Sequence, residues 1–418
     1  MPDSDVEVVV VGGGAAGVAA AKHLQQASVR CLLVEARPRL GGRAFTVVDP
    51  SGHALDLGCG WLHSADRNPW VRVAQEQGAE IDTTLPPWQH RTLEVGFPRT
   101  EQADFQRTFG EFYARLEYAA QAETDVAAAS LLEPGNRWNG LINSVGTYIS
   151  GGDLDRLSVK DFDRYEDSGV NYRVFKGYGA LIGDHGAGVP QALDCPVTAI
   201  DHCGARLRID TRNGAIAADQ AIVTVPSAVL AAERITFTPA LPEKIAAARG
   251  LPLGLADKLF IALDRAEEFE KETRLFGRTD RDGTGGYHLR PFGRPLIEAY
   301  FAGGLASELE AGGDEAFFDF AVSELVGLFG SDFARRLKPI RVHRWAHDPY
   351  ALGSYSFALP GCADNRAVLA APVDDRLFFA GEACSAHDFS TAHGGYLTGV
   401  AAAERVIAVR AKSKMAKA

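Results

Sequence analysis

The stretch "VEVVVVGGGAAGVAAAKHL", Val6 to Leu24, decides the fold. Val6 to Val11 is rich in β-branched residues, the pattern of a strand buried on both faces. Gly12, Gly14 and Gly17 follow it in G-x-G-x-x-G spacing. The reasons are steric: Gly12 permits a tight turn, Gly14 lets backbone approach a pyrophosphate, and Gly17 lets the next helix pack closely on the strand. An Ala-rich helix is expected from about Ala15 to Ala27, with Val18, Ala21 and Leu24 on one face. Its first turn, Ala15 and Ala16, presents unpaired N–H groups and the positive end of a dipole, which suits phosphate. A second strand, Arg30 to Val34, ends at Glu35, 23 positions after Gly12. That is near the spacing of about 20 residues that sets a carboxylate on a ribose hydroxyl. Strand, glycines, helix, strand and acid in this order predict an α/β dinucleotide site for a ribose with a free 2′-hydroxyl. They do not separate NAD from FAD.

The whole chain bounds the function. Its 418 residues, 46% hydrophobic and 23% charged, are ordinary globular material for about two domains. Lys plus Arg is 43 and Asp plus Glu is 54, a net charge of −11 that repels phosphate backbones, so no nucleic-acid partner is expected. The terminal cluster Arg410, Lys412, Lys414 and Lys417 reads as a solvated tail. Cys31, Cys59, Cys195, Cys203, Cys362 and Cys384 show no zinc spacing, so no metal is expected, and they read as thiols of a reducing compartment. Asp3, Asp5 and Glu7 stand where a secretory signal would be cationic, and no apolar run reaches the roughly 18 residues of a membrane span. The expectation is a soluble, cytoplasmic protein with no membrane partner.

The next motif narrows the nucleotide. "VEARPRLGGRAFT" (Val34 to Thr46) carries Glu35, Ala36, Arg37, Arg39, Gly41, Gly42 and Arg43. Here the sequence resembles the flavin-containing amine oxidases, the family of monoamine and polyamine oxidases. The resemblance implies FAD, with these glycines and arginines around its pyrophosphate and ribityl chain. An arginine fork beside open glycine backbone suits phosphate oxygens. It further implies a Rossmann-type FAD-binding domain of the glutathione-reductase-like class with an inserted α+β substrate domain. Residues 1–76, 175–247 and 349–418 would form the first, and 77–174 and 248–348 the second.

Further motifs carry the same resemblance. "LDLGCGWLH" (Leu55 to His63) is similar to the polyamine-oxidase variant; Gly58, Cys59, Gly60 and Trp61 would lie on the cofactor and His63 at the active site. Phe105, Phe109, Phe112 and Leu116 mark an amphipathic helix face expected in the core. "DFDRYED" (Asp161 to Asp167) reads as a solvated acidic run before an acidic rim for a cationic amine. Asn213-Gly214 signals a hairpin after the strand at Arg206–Asp210, and Ala221–Val225 reads as a buried strand. By resemblance the backbone at Val197 meets the adenine. Lys258 interrupts an apolar strand, and the family holds a lysine there against flavin N5 through a water. "WAHDPYALGSYSFALPG" (from Trp345) matches at Trp345, Pro349, Tyr350, Gly353, Tyr355, Pro360 and Gly361. Where monoamine oxidases carry the cysteine bonded to flavin, Ser354 stands, which implies non-covalent FAD. Finally "RLFFAGEACSAHDFSTAHGGYLTGVAAAERVI" (Arg376 to Ile407) ends a strand at Gly381-Glu382 and opens a helix at Gly394, Gly395 and Tyr396. The dipole of that helix would stabilise negative charge on reduced flavin.

The chemistry so implied is oxidation of a small-molecule amine to an imine, with hydride passing to flavin and then O2 giving hydrogen peroxide. Tyr355 and Tyr396 would form an aromatic cage for the amine; Lys258 would assist reoxidation or imine hydrolysis, and His63 would bind or deprotonate the amine. The "GWLH" string and the absent cysteine lean toward polyamines or a simple bacterial-type amine oxidase. Other readings stay open: a carotenoid-desaturase-like enzyme, an amino-acid oxidase using Arg173, Arg290 or Arg344 for a carboxylate, or a flavin-holding module without turnover. A homodimer also stays open.

Overall fold

The protein is described by a computed structural model covering residues 6–90 and 92–415. Asp3, Asp5 and Lys417, and the side chain of Lys414, lie outside the described residues. At the centre of a five-stranded parallel sheet is β1 (Val8–Val11), linked by helix α1 (Ala15–Gln26) to β2 (Cys31–Val34). Val8 to Val10 are fully buried and Val11 nearly so. Period-two alternation sends Val8 and Val10 toward Val18, Ala21 and Leu24 of α1, and Val9 and Val11 toward Ile200, Ile209 and Phe237 on the other face. Each such side chain contributes about 2 kcal/mol relative to exposure.

Between the first two strands and the next part of the sheet run helices α2 (Arg99–Ala120) and α3 (Asn139–Ser150). The sheet then gains β3 (Gln191–Ala192) beside β2, and β4 (Gln220–Val223) on the opposite side of β1. The strand order therefore reverses at β1, where ligands of open parallel sheets bind beyond the strand ends. The hairpin expected at Asn213-Gly214 joins Leu207–Thr211 to Gly214–Ala218, in a four-stranded sheet covering one face.

A separate antiparallel sheet contains β5 (Ala256–Leu263), β6 (Thr273–Phe276), β7 (Gly286–Leu289), β8 (Leu296–Ala302) and β9 (Leu337–Val342), in the order β6-β7-β8-β5-β9. One face, including Leu259, Ile261, Leu289, Ile297 and Phe301, packs on Ala306, Phe317, Ala321 and Leu325 of the helices that follow. The chain returns to the parallel sheet as β10 (Leu377–Phe379) beside β4 and ends in α4 (Ala392–Met415). Helix α4 crosses α1 so closely that a Cβ on Gly399 would stand 2.2 Å from the Ala16 carbonyl oxygen. The first and last segments of the chain are thus one packed unit. Arg410, read as part of a solvated tail, instead bonds Glu7 and lies 3.3 Å from Asp219.

Candidate active site

One cavity of about 1300 Å³ runs from the turn after β1 to the polar face of the antiparallel sheet. It exceeds the ~1,000 Å³ upper range of ordinary ligand pockets. Its first half is lined by Gly12, Gly14, Ala15, Ala16, Glu35, Ala36, Arg37, Gly41, Gly42, Arg43, Val197 and Tyr350. Glu35 is held by the N–H groups of Gly13 (2.6 Å) and Arg37 (2.8 Å). Arg37 is fixed by Asp348 at 2.5 Å, and Arg43 by Glu382 at 2.8 Å. No side chain caps α1 at Gly14, and the nearest atom to a Cβ built there is Gly42 Cα at 3.9 Å. An open glycine floor, uncapped N–H groups and paired arginines fit the diphosphate of a dinucleotide.

Gly17 does not line the cavity. A Cβ there would lie 1.8 Å from the Gly12 carbonyl oxygen, so its role is the close approach of helix to strand. Gly394 is likewise off the wall, pressed on the Asp388 carbonyl oxygen. Gly395 and Gly381-Glu382 do line it. Burial works against the Glu382 charge, but Arg43, Ser356 and Arg366 hold its carboxyl below the usual range.

The second half is bounded by Gly58, Cys59, Gly60, Trp61, His63, Trp88, Trp345 and the cavity face of the antiparallel sheet. That face alternates with the buried one and presents Lys258, Glu298, Tyr300, His288 and Arg274. Lys258 Nζ is 2.9 Å from Glu298. Burial opposes its charge, but Glu298 and Asp56 outweigh burial and raise its pKa above that of ordinary lysine. Lys258 is thus an ammonium. His63 Nδ1 lies 2.6 Å from Asn171 Oδ1, and burial lowers its pKa, so the ring is neutral near pH 7.

The pairing of Tyr355 with Tyr396 across the cavity does not occur. Tyr355 is on the wall; its hydroxyl meets Tyr300 at 3.0 Å and donates to the Tyr148 carbonyl at 2.8 Å. Tyr396 follows Gly395 on α4, turned about 100° around the helix. Its ring packs edge-on to Trp70 at 5.1 Å, half-buried against the core between the helices. The residues of this segment that reach the wall are Ser390, Thr391, Ala392 and Gly395, with Thr391 Oγ1 capping the helix through Gly394 N–H at 3.0 Å. Of the helix face expected in the core, Phe105, Phe112 and Leu116 are buried there and Phe109 is half-buried, and both Phe109 and Leu116 reach the cavity wall. In "DFDRYED", Asp161 is no part of a solvated run: it is buried and binds Arg366 at 2.6 and 2.8 Å.

A family model for flavin-containing amine oxidoreductases matches residues 15–407. The chain belongs to this family. Among similar proteins, polyamine oxidase 2 of Arabidopsis thaliana is 29% identical, covering 95% of this chain and 87% of its own length. Polyamine oxidase 4 of Oryza sativa subsp. japonica is 30% identical, covering 96% and 88%. Lysine-specific histone demethylase 1 homolog 2 of the same plant is also 30% identical, across 96% of this chain but only 57% of the longer relative. Membership makes the chain an oxidoreductase acting on amines with a flavin cofactor.

Several residues on the wall of this flavin amine oxidoreductase, or directly behind it, are not marked by any of the motifs. Glu298 and Tyr300 are two apart in "LIEAYFA", polar positions recurring in an otherwise apolar strand; that period was a usable signal. Asn171, Trp88 and Arg274 carry no local signal, since only the folded chain brings them to His63 and the sheet. Of the arginines considered for a carboxylate, none lines the cavity: Arg173 is held by Asp82 and Glu272, Arg344 by Asp314, and Arg290 donates to the Phe269 carbonyl. Among the described residues no helix is long and apolar enough to cross a membrane, and no cluster of metal-ligating side chains occurs.

Proposed function

We propose that the protein binds FAD non-covalently and oxidises a small-molecule amine to an imine, which water converts to a carbonyl compound. When bound, FAD would supply the acceptor for a hydride from the carbon beside nitrogen, with O2 as the final oxidant reduced to hydrogen peroxide. The observation that carries the reading is the continuity of one cavity from the glycine turn to Lys258, His63 and Tyr355. Glu35 would hold the ribose, and Gly12, Gly14 and the α1 N-terminus the diphosphate. Neutral His63, steadied by Asn171, would accept a proton from the incoming ammonium so that nitrogen carries a lone pair. Tyr355 and Tyr300 would orient that nitrogen, and the Lys258 ammonium would favour negative charge appearing beside it.

Non-covalent attachment is supported by two observations. The Ser354 hydroxyl is engaged with the Ala256 backbone, accepting at 2.9 Å and donating at 3.1 Å. The Cys59 thiol on the wall is pushed up by burial to about 12, which keeps it protonated and unreactive. The reading includes a cytoplasmic location, supported by six unpaired cysteines. Anaerobic titration with primary, aromatic and polyamines tests the proposal: at least one class should bleach the flavin absorbance, and air should restore it with peroxide. Absorbance that stays unchanged with every amine would refute it.

A further inference from the structure

We propose that Arg274 receives a carboxylate at the far end of the substrate, so that the site takes an amine carrying an anionic group in preference to a polyamine. The inference rests on the amine-oxidising reading above. Arg274 lies on β6, and its side chain lines the substrate half of the cavity. Its guanidinium stands 4.4 Å over the Phe276 ring. Among the described residues no carboxylate lies within ion-pair distance of it, and no hydrogen bond holds its side chain. The other cavity arginines differ. Arg37 and Arg43 are paired with acids, and Arg212 and Arg234 are exposed at the Val197 end.

Burial pushes the Arg274 guanidinium down to about 10, so it is charged at neutral pH, with the Phe276 ring against it and no acid beside it. A guanidinium fork binds a carboxylate through two parallel hydrogen bonds, and an anionic ligand would remove the cost of the isolated cation. A polyamine would bring a second ammonium toward it. The acids that could offset this, Glu117, Asp163 and Asp167, line the cavity from exposed positions on α2 and the 161–167 segment. Glu298 is committed to Lys258.

The sheet also sets the spacing. Arg274 faces His288 across one strand pair, and His288 faces Glu298 across the next. Two strand spacings, roughly 10 Å, therefore separate the anion anchor from the Lys258–Glu298 pair. The carboxylate should be several bonds from the reacting nitrogen and not on the adjacent carbon.

Two matched pairs test this: 5-aminopentanoate against pentylamine, and 4-(aminomethyl)benzoate against 4-methylbenzylamine. The carboxylated member of at least one pair should have a kcat/KM about tenfold or more above its partner, mainly through KM. Arg274→Gln should abolish that ratio and Arg274→Lys should restore part of it. As a readout apart from turnover, 4-methylbenzoate should perturb the flavin spectrum of the wild type at concentrations at least tenfold lower than with Arg274→Gln. Equal ratios in wild type and Arg274→Gln, or polyamines as the best substrates, would overturn the anchor while leaving amine oxidation intact. A flavin that no amine reduces would instead defeat the underlying reading.

Discussion

Lys258 and Glu298 meet at 2.9 Å as diagonal neighbours on adjacent antiparallel strands. The pair explains how an ammonium can stand in a cavity wall beneath Gly60, whose added Cβ would lie 3.2 Å from Nζ. The folded pKa of Lys258 is raised, so its stabilisation is complete below the unfolded value of about 10.4 and is lost only as pH rises through the higher folded value. Glu298 is lowered, despite burial, by Lys258; its share is present above the unfolded value and is lost as pH falls through the folded one. Glu298→Gln should therefore cost about 3 kcal/mol at pH 7. Denaturant unfolding should show that difference constant from pH 6 to pH 9, and a decline beginning at pH 8 would contradict the assignment. Lys258→Met should slow flavin reoxidation by about 10²-fold, read by stopped-flow mixing of reduced enzyme with O2.

His63 gives the sign opposite to Lys258. Its pKa is lowered by burial below the ordinary 6.5. In the acid range the unfolded chain takes up the proton first, so stability falls as pH drops. The acidic limb of kcat/KM should lie below pH 6.5. Asn171→Leu removes a hydrogen bond that raises the His63 value, so the limb should move to still lower pH. His63→Asn should erase the limb and reduce kcat/KM by about 10²-fold.

Two glycines of one motif should respond differently. Gly14→Val adds a side chain over open floor, so the protein should fold, with unchanged far-ultraviolet circular dichroism, but purify colourless. Gly17→Ala forces a Cβ to within 1.8 Å of a backbone oxygen and should destabilise by more than about 3 kcal/mol, read as loss of soluble protein.

Asp161 and Arg366 are both almost wholly buried, with two short bonds between them, and Arg366 also stacks over Phe389 at 3.7 Å. Asp161→Ala leaves the guanidinium unpaired and should cost about 3–5 kcal/mol. Unfolding midpoints measured with the cofactor saturating would check it; a change under 1 kcal/mol would rule out a structural pair.

Tyr396→Phe should leave kcat/KM within about twofold, because the ring touches Trp70 and not the cavity. Tyr355→Phe breaks the hydroxyl contacts to Tyr300 and the Tyr148 carbonyl, and should lower kcat/KM by about tenfold, equivalent to about 1.4 kcal/mol for the two bonds together. Steady-state kinetics on both variants would decide between this wall and a Tyr355–Tyr396 cage.

Sequence alone determined the glycine-lined end of the cavity. Steric demands there are local: a turn, a helix start and an acid at a set distance can be read from residues 8–35 without knowing the rest. The α1 helix begins at Ala15, where the glycines say it should, while the strand begins at Val8, two residues after the Val6 expected. The substrate end was decided by tertiary structure. A helix places each residue about 100° from the last, so being one position from Gly395 turned Tyr396 off the cavity wall and against Trp70. Sheet pairing, not adjacency, brought Arg274, Glu298 and Tyr300 together, and α3 packed against that sheet added Tyr148 to the same chamber. Periodicity reveals which way a side chain faces along its own element; only packing reveals what it faces.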